Sequence, residues 1–295
     1  MSDAARGHAA MLLFSALVAG SFALGALAAN LLDPAALNAV RFLIAAVVIG
    51  VLGWTTGLLK ASDAKAPWRY AILGGLFSIY FVLMFEGLKT ASAVSAAAVF
   101  TLTPVLSAGA GWLLLRQVTT AWMASALTVG AVGALWVIFR ADLGAFLAFD
   151  IGRGEVIYFI GCIAHAIYTP MIARLNRGEH PVAFTFGTLV AGTIILGLFG
   201  APAIAATDWA ALPSIVWITI LYTALAASAA TFVLVQYAAL RLPSAKVMAY
   251  TYLTPSWVIL WQIALAGEVP VPLVLVGVAL TALALLMLLR NEAPA

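Results

Sequence analysis

The chain has 295 residues, 65% of them hydrophobic and 8% charged, with a formal net charge of +3. A mean hydropathy of +1.13 leaves too little polar surface for a water-facing exterior, which excludes a soluble globule and indicates a membrane-embedded protein. The small positive balance gives no footing for nucleic-acid binding, and Cys162, the one cysteine, excludes an internal disulfide and points to no metal.

Apolar runs of about 20 residues, enough to cross a hydrocarbon core of ~30 Å, fall at 9–29, 35–58, 68–88, 92–115, 119–140, 155–174, 181–201, 213–240, 245–266 and 271–290. Backbone groups in lipid must be satisfied within each run, so these read as helices; the short alternating strands of a transmembrane barrel are absent. The first run reads as a retained helix, not a removed leader, and Ser15 and Phe22 share one of its faces. The second carries Arg41, expected to bond helix ends, and Gly53-x-x-x-Gly57, expected to allow close helix contact. In the third, Phe77, Tyr80 and Met84 share a face, and Glu86 near its end has Lys89 one turn on, close enough to reach the interface as a pair.

The fourth run places Ser95, Val99 and Thr103 along one side, with Ala93, Ala96, Ala97, Ala98 and Ser107-x-x-x-Gly111 as small packing positions. Trp68, Trp122 and Trp209 suit an interfacial aromatic belt. The break at 141–153 divides the chain into halves, 1–145 and 146–295. In the sixth run Tyr158, Cys162 and His165 align; in the eighth, Phe232 and Gln236. The ninth has a polar and aromatic stripe of Lys246, Tyr250, Thr254, Trp257 and Trp261 at spacings of three and four.

One pattern occurs twice. Phe85-Glu86-Gly87-Leu88-Lys89-Thr90-Ala91-Ser92-Ala93 leads to Leu102-Thr103-Pro104, and Tyr237-Ala238-Ala239-Leu240-Arg241-Leu242-Pro243-Ser244-Ala245 leads to Leu253-Thr254-Pro255. A fainter match pairs Gly7 with Gly154 and Phe22 with Tyr168. Five runs precede the break and five follow. Five is odd, so the second half is expected to enter the membrane from the opposite side. With the N-terminus inside, nine Lys and Arg fall in inside segments and three outside, namely Lys89, Arg140 and Arg153; this places both termini in the cytoplasm.

Pro104 and Pro255 stand inside apolar runs. Proline has no amide hydrogen for the carbonyl four residues earlier, so the oxygens of Phe100 and Thr251 are expected to lack a donor and to face a substrate ammonium group. Both prolines are candidate hinges. Ionisable groups within a bilayer cost roughly 2.5–3.5 kcal/mol each, which makes Glu86, His165 and Lys246 candidates for coupling or charge recognition. Lys246 either snorkels to the interface or meets a substrate carboxylate, and His165 either packs or relays protons. With so few membrane carboxylates, strong proton coupling is not expected.

The Leu-Thr-Pro blocks, Arg41-Phe42-Leu43-Ile44-Ala45 and Leu265-Ala266-Gly267-Glu268 resemble the EamA-type exporters of the drug/metabolite transporter superfamily, which include exporters of aromatic amino acids. The resemblance implies an all-α membrane protein of ten transmembrane helices, arranged as two inverted five-helix repeats in the bacterial inner membrane. It also implies a central cavity lined by helices 1, 3, 4, 6, 8 and 9. One departure stands out: Arg116-Gln117 occupies the place of a family Gly-Glu, so that glutamate survives only at Glu268, read as a loop or helix-end residue.

The expected function is a secondary carrier or facilitator exporting amino acids and related metabolites, aromatic or bulky and apolar, by alternating access. The expected substrate lining is Ser15, Phe22, Phe77, Tyr80, Met84, Ser95, Val99, Thr103, Tyr158, His165, Phe232, Gln236, Tyr250, Thr254 and Trp257. Such an apolar, aromatic surface suits phosphates poorly, since they need clustered Arg and Lys. No Walker A run is present, so ATP hydrolysis by this chain is not expected, nor is any cofactor or metal. The expected partners are the lipid bilayer and a small molecule, and no oligomer is implied. A proton-coupled exporter of other metabolites or drugs is the alternative. An intramembrane enzyme would need His-Glu-x-x-His, paired aspartates, or a serine with a histidine base; a scaffold or receptor is a third reading.

Overall fold

Helix signals in the sequence set the elements of a computed structural model that describes residues 3–139, 141–148, 151–267 and 271–290. Arg140 and Glu268 lie outside the described residues. The first long helix is α1 (Asp3–Ala28). Helix α2 (Pro34–Thr55) opens where Asp33 accepts from the amides of Ala35 and Ala36 at 2.8 and 3.2 Å and proline fills the first turn. It closes at Gly57, whose φ of +67° favours glycine. Gly53 faces the Leu59 side chain of the same turn, so Gly53 and Gly57 shape a helix end and are not the helix contact expected of them.

Helix α3 (Trp68–Gly87) is followed by α4 (Ala93–Phe100), capped by the Ser92 hydroxyl, and α5 (Thr103–Leu115), which carries Pro104 in its first turn. Helix α6 (Ala121–Ile138) is capped by Thr120. The expected break between halves contains a short helix, α7 (Leu143–Ala148). Next come α8 (Arg153–Leu175), α9 (Pro181–Phe199), α10 (Ala201–Ala206) and α11 (Ser214–Ala224). A widened π turn at Leu225–Ala230 leads into α12 (Thr231–Ala239). The ninth run is three pieces: α13 (Ser244–Ala249), a 3-10 turn at Tyr250–Leu253 and α14 (Thr254–Ala266); α15 (Val274–Arg290) ends the described chain.

Among the described residues no strand occurs, and eight helical segments are long and apolar enough to cross a membrane. They are Asp3–Ala28, Pro34–Thr55, Trp68–Gly87, Ala93–Leu115, Ala121–Ile138, Arg153–Leu175, Pro181–Phe199 and Ser214–Ala239. Val274–Arg290 is apolar but shorter, at 17 residues. The bundle surface carries exposed Leu12, Val47, Leu113, Leu198 and Leu286, as a lipid-facing exterior requires.

Close backbone approaches at small residues hold the helices together. A Cβ on Gly74 of α3 would lie 2.6 Å from the Gly192 nitrogen of α9, and one on Gly133 of α6 would lie 2.7 Å from the Gly277 oxygen of α15. Helices α6 and α15 run antiparallel: the Trp122 indole donates to the Met287 carbonyl at 2.6 Å, and the Trp136 indole donates to the Leu273 carbonyl at 2.9 Å. Elsewhere α3 packs on α8 and α9, α2 on α9 and α11, and α1 on α11, α12 and α14.

Arg41 is fully buried and does not bond a helix end. Its guanidinium donates to the Ser228 hydroxyl at 2.7 Å and the Ala227 carbonyl at 2.8 Å, inside the π turn, and lies 3.7 Å above the Phe81 ring. A desolvated cation over a ring is worth about 2 kcal/mol. The charge thus spans from α2 to the widened turn and props it open.

Candidate functional site

The two proline breaks meet at the middle of the bundle. With Pro104 in the first turn of α5, the Phe100 carbonyl loses a helical donor, and the Thr103 hydroxyl supplies one at 2.6 Å. At the other break the Thr254 amide donates to the Thr251 carbonyl. Both carbonyls are therefore satisfied within the chain, which overturns the expectation that they stand open to a substrate. The breaks touch through Thr103 and Thr251, whose hydroxyl oxygens are 3.2 Å apart. Pro104, Pro255 and Thr254 are buried, and the Thr254 hydroxyl has no hydrogen-bond partner.

Beside the breaks, rings from five helices pack together. Phe22 comes from α1; Phe77, Tyr80 and Phe81 from α3; Phe100 from α4; Tyr158, His165 and Tyr168 from α8; and Phe232 from α12. Phe77 stacks on Tyr168 at 3.6 Å and meets Phe232 at 4.2 Å. His165 lies 4.5 Å from Tyr80, 5.3 Å from Phe100 and 5.4 Å from Phe77, and Phe22 meets Phe100 and Tyr158 at 5.7 and 5.8 Å. Each such contact adds about 0.5–1.5 kcal/mol beyond burial. The expected cavity is thus closed by its own lining, because rings this large reach across from both sides. Cavities of about 330 and 340 Å³ lie elsewhere: Gly75, Ile79, Ile195 and Phe199 bound one, Leu59, Tyr70, Phe186 and Ile194 the other.

The knot is not purely apolar. The Tyr80 and Tyr158 hydroxyls are 3.0 Å apart, and Gln236 donates to the Tyr168 hydroxyl at 3.2 Å. His165 Nδ1 and Gln236 Oε1 are buried with no hydrogen-bond partner, the situation that costs most in a low-dielectric interior. Met84 is buried in the same core, and Cys162 is a free, fully buried thiol.

Of the residues expected to line a substrate cavity, Phe22, Phe77, Tyr80, Tyr158, His165, Phe232 and Gln236 lie together in this knot. Sequence reading missed Phe81, Phe100 and Tyr168 as members. Phe81 was within reach, since it lies four residues after Phe77 on the same face.

The ninth-run stripe forms a separate wall against α1 and α11. Trp257 donates to the Ser15 hydroxyl at 3.2 Å, Tyr250 faces the His8 ring at 6.0 Å, and Trp261 meets Tyr222 at 5.6 Å. Lys246 is buried on α13, while Glu86 and Lys89 form a half-exposed pair at 2.6 Å. Ser95 and Val99 meet the first turn of α8: the Ser95 hydroxyl donates to Glu155 at 2.7 Å, and Val99 bounds a cavity with that glutamate. Glu155 escaped the sequence reading altogether.

At both ends of the bundle, residues before the 141–153 break touch residues after it. At one end Arg69 donates to the Leu175 carbonyl at 2.7 Å and pairs with Glu179 at 2.6 Å, and Gln117 accepts from the Ser244 amide at 3.1 Å. Burial alone would raise the Glu179 carboxyl; hydrogen bonds from Arg69 and the Arg177 amide outweigh it and hold the group below its ordinary value. At the other end Gly154 of α8 packs on Gly87 and Ala91.

Helices split by paired prolines, packed around a mixed aromatic and polar core, fit one family model, the EamA-like transporter family, over residues 5–139 and again over 152–290. The chain belongs to the EamA-like transporter family. An uncharacterized transporter of Bacillus subtilis, YyaM, is 29% identical over 189 residues, a stretch covering 63% of this chain and 62% of that relative. A solved crystal structure of another protein superposes with a TM-score of 0.73, covering 99% of both chains at 21% identity, a likeness of fold alone. Its eight long apolar helical segments suit a family of membrane transporters.

Proposed function

We propose that this transporter is a secondary carrier or facilitator for amino acids with aromatic or bulky apolar side chains, built from ten helices in two inverted halves, 1–145 and 146–295. The inverted reading is supported by packing that recurs with the halves exchanged. Helix α3 lies on α8 as α1 lies on α11 and α12, and α5 lies on α8 as α14 lies on α1. The antiparallel α6 and α15, and the meeting of the two proline breaks, fit a two-fold axis in the membrane plane. Basic residues then put both termini in the cytoplasm of a bacterial inner membrane.

One observation carries the substrate reading: an aromatic knot shared by both halves holds two polar atoms without partners, His165 Nδ1 and Gln236 Oε1. A solute with a flat ring and donor groups would replace ring–ring contacts with its own and satisfy both atoms. Alternating access then proceeds by rocking of the halves, with flexing at Pro104 and Pro255, and the structure corresponds to the closed step between two open ones. Export of other metabolites is the coarser alternative.

The test is counterflow of a radiolabelled amino-acid panel by purified protein in liposomes. Aromatic members should exchange fastest. Gln236→Leu and His165→Phe should raise the half-saturation concentration by about tenfold, the worth of one lost hydrogen bond. Equal rates for aromatic and small polar amino acids, or unchanged affinity in both variants, would count against this site.

A further inference from the structure

Arg41 sits about two turns into α2, a helix long and apolar enough to cross a membrane, and is fully buried. A cation held at that depth is costly to keep and invites a functional reading. The partners described for it are all neutral oxygens. Nε donates to the Ser228 hydroxyl at 2.7 Å, Nη1 to the Asn38 side-chain oxygen at 3.3 Å and Nη2 to the Ala227 carbonyl at 2.8 Å. A guanidinium carries five N–H groups, so these bonds leave one on each terminal nitrogen. The two oxygens of a carboxylate match such a pair.

The cation also adjoins the aromatic knot. It lies 3.7 Å above Phe81, which meets Phe77 at 5.5 Å and Phe232 at 5.9 Å. Phe77 stacks on Tyr168, whose hydroxyl accepts from Gln236, and Gln236 Oε1 is a buried atom with no hydrogen-bond partner. One continuous line of contacts therefore runs from a cation, across rings, to a polar atom that lacks a donor. The parts come from both proposed halves: Arg41 from α2 and Phe81 from α3, Ser228 from the π turn, Phe232 and Gln236 from α12. Burial has already stripped the guanidinium of its water, so an anion arriving there restores charge balance, whereas a neutral group adds only an ordinary hydrogen bond.

We propose that Arg41 is the carboxylate-recognition residue of this protein, and that its ligands are aromatic carboxylic acids, with aromatic amino acids among them. This deepens the reading of the knot given above and rests on it. As the halves part, the carboxylate docks on the remaining N–H of each terminal nitrogen, and the ring enters among Phe77, Phe81 and Phe232. The bonds to Ser228 and Ala227 keep the guanidinium aimed, which gives the π turn a place in recognition as well as in packing.

The test is isothermal titration of the purified full chain in detergent with two matched pairs, 3-phenylpropionate against 3-phenylpropanamide and L-phenylalanine against L-phenylalaninamide. In the wild-type protein each acid should bind at least about tenfold more tightly than its amide. Arg41→Gln should erase that gap by weakening the acid alone, and Arg41→Lys, which keeps a cation without the fork, should narrow it. A purely structural arginine would weaken acid and amide equally, and that result overturns the assignment. So does a gap of full width in either variant. Equal binding of acid and amide by the wild-type protein, or no binding of either acid, overturns it whether or not the variants fold. If 3-phenylpropionate binds through Arg41 but L-phenylalanine shows no counterflow in liposomes, the amino-acid reading falls and the carboxylate site stands.

Discussion

Under the proposed inverted arrangement, the start of α8 and the start of α1 occupy equivalent places, each against the turn that leads into a broken helix, but they are built differently. A Cβ on Gly154 would lie 2.3 Å from the Gly87 oxygen and 2.6 Å from the Ala91 nitrogen. Backbone meets backbone there, and nothing can turn aside. A Cβ on Gly7 would meet the Leu242 side chain at 3.1 Å, which can rotate away. Past each glycine the chemistry also diverges: Glu155 faces Ser95 at one end, while at the other His8 lies beside Tyr250. A shared architecture thus carries one rigid acidic junction and one padded junction, and the padded one should part more readily.

The sharpest way to break this contrast is to add side chains at both glycines. Gly154→Ala should cost about 1–3 kcal/mol through overpacking and sharply slow counterflow, whereas Gly7→Ala should stay within about 0.5 kcal/mol. Thermal unfolding in detergent reads both, and equal losses would erase the distinction. A second contrast lies between the two proline breaks. Thr103→Val strips the Phe100 carbonyl of its hydroxyl donor and should cost about 1–3 kcal/mol, while Thr254→Val removes a hydroxyl that has no partner and should be neutral or stabilising.

The smallest effect belongs to the ionic contact at the Gly7 end. Glu179 titrates below its ordinary value when folded, so it adds stability above the unfolded value of about 4.3, which is lost as pH falls through the lower folded value. The wild-type melting temperature should therefore fall over that acid interval more than that of Glu179→Gln. Parallel curves would show that the Arg69 contact contributes nothing.

The membrane helices and their proline breaks were legible because both are local: apolar length sets a span, and a ring without an amide hydrogen interrupts it wherever it stands. Much of the knot could be read from helical spacing for the same reason. The π turn at Leu225–Ala230 could not be read. Nothing in Leu-Ala-Ala-Ser-Ala-Ala signals it, since the guanidinium bound there comes from Arg41 on another helix. Glu155 was hidden differently. An acid in a first helical turn is ordinary on dipole grounds, and only the packing of α4 over it shows that it is buried. Gly53 and Gly57 misled because their spacing suits both a helix contact and a helix end.

The native thiol of Cys162, fully buried within the shared core, gives the most direct test of whether that core opens to water during transport. Purified protein in liposomes would be treated with N-ethylmaleimide, with and without saturating L-phenylalanine, and modification followed by mass spectrometry. The account predicts modification at a measurable rate that the amino acid slows. A thiol that stays unmodified while counterflow proceeds, or reacts at the same rate in both conditions, would contradict a substrate path through the aromatic knot.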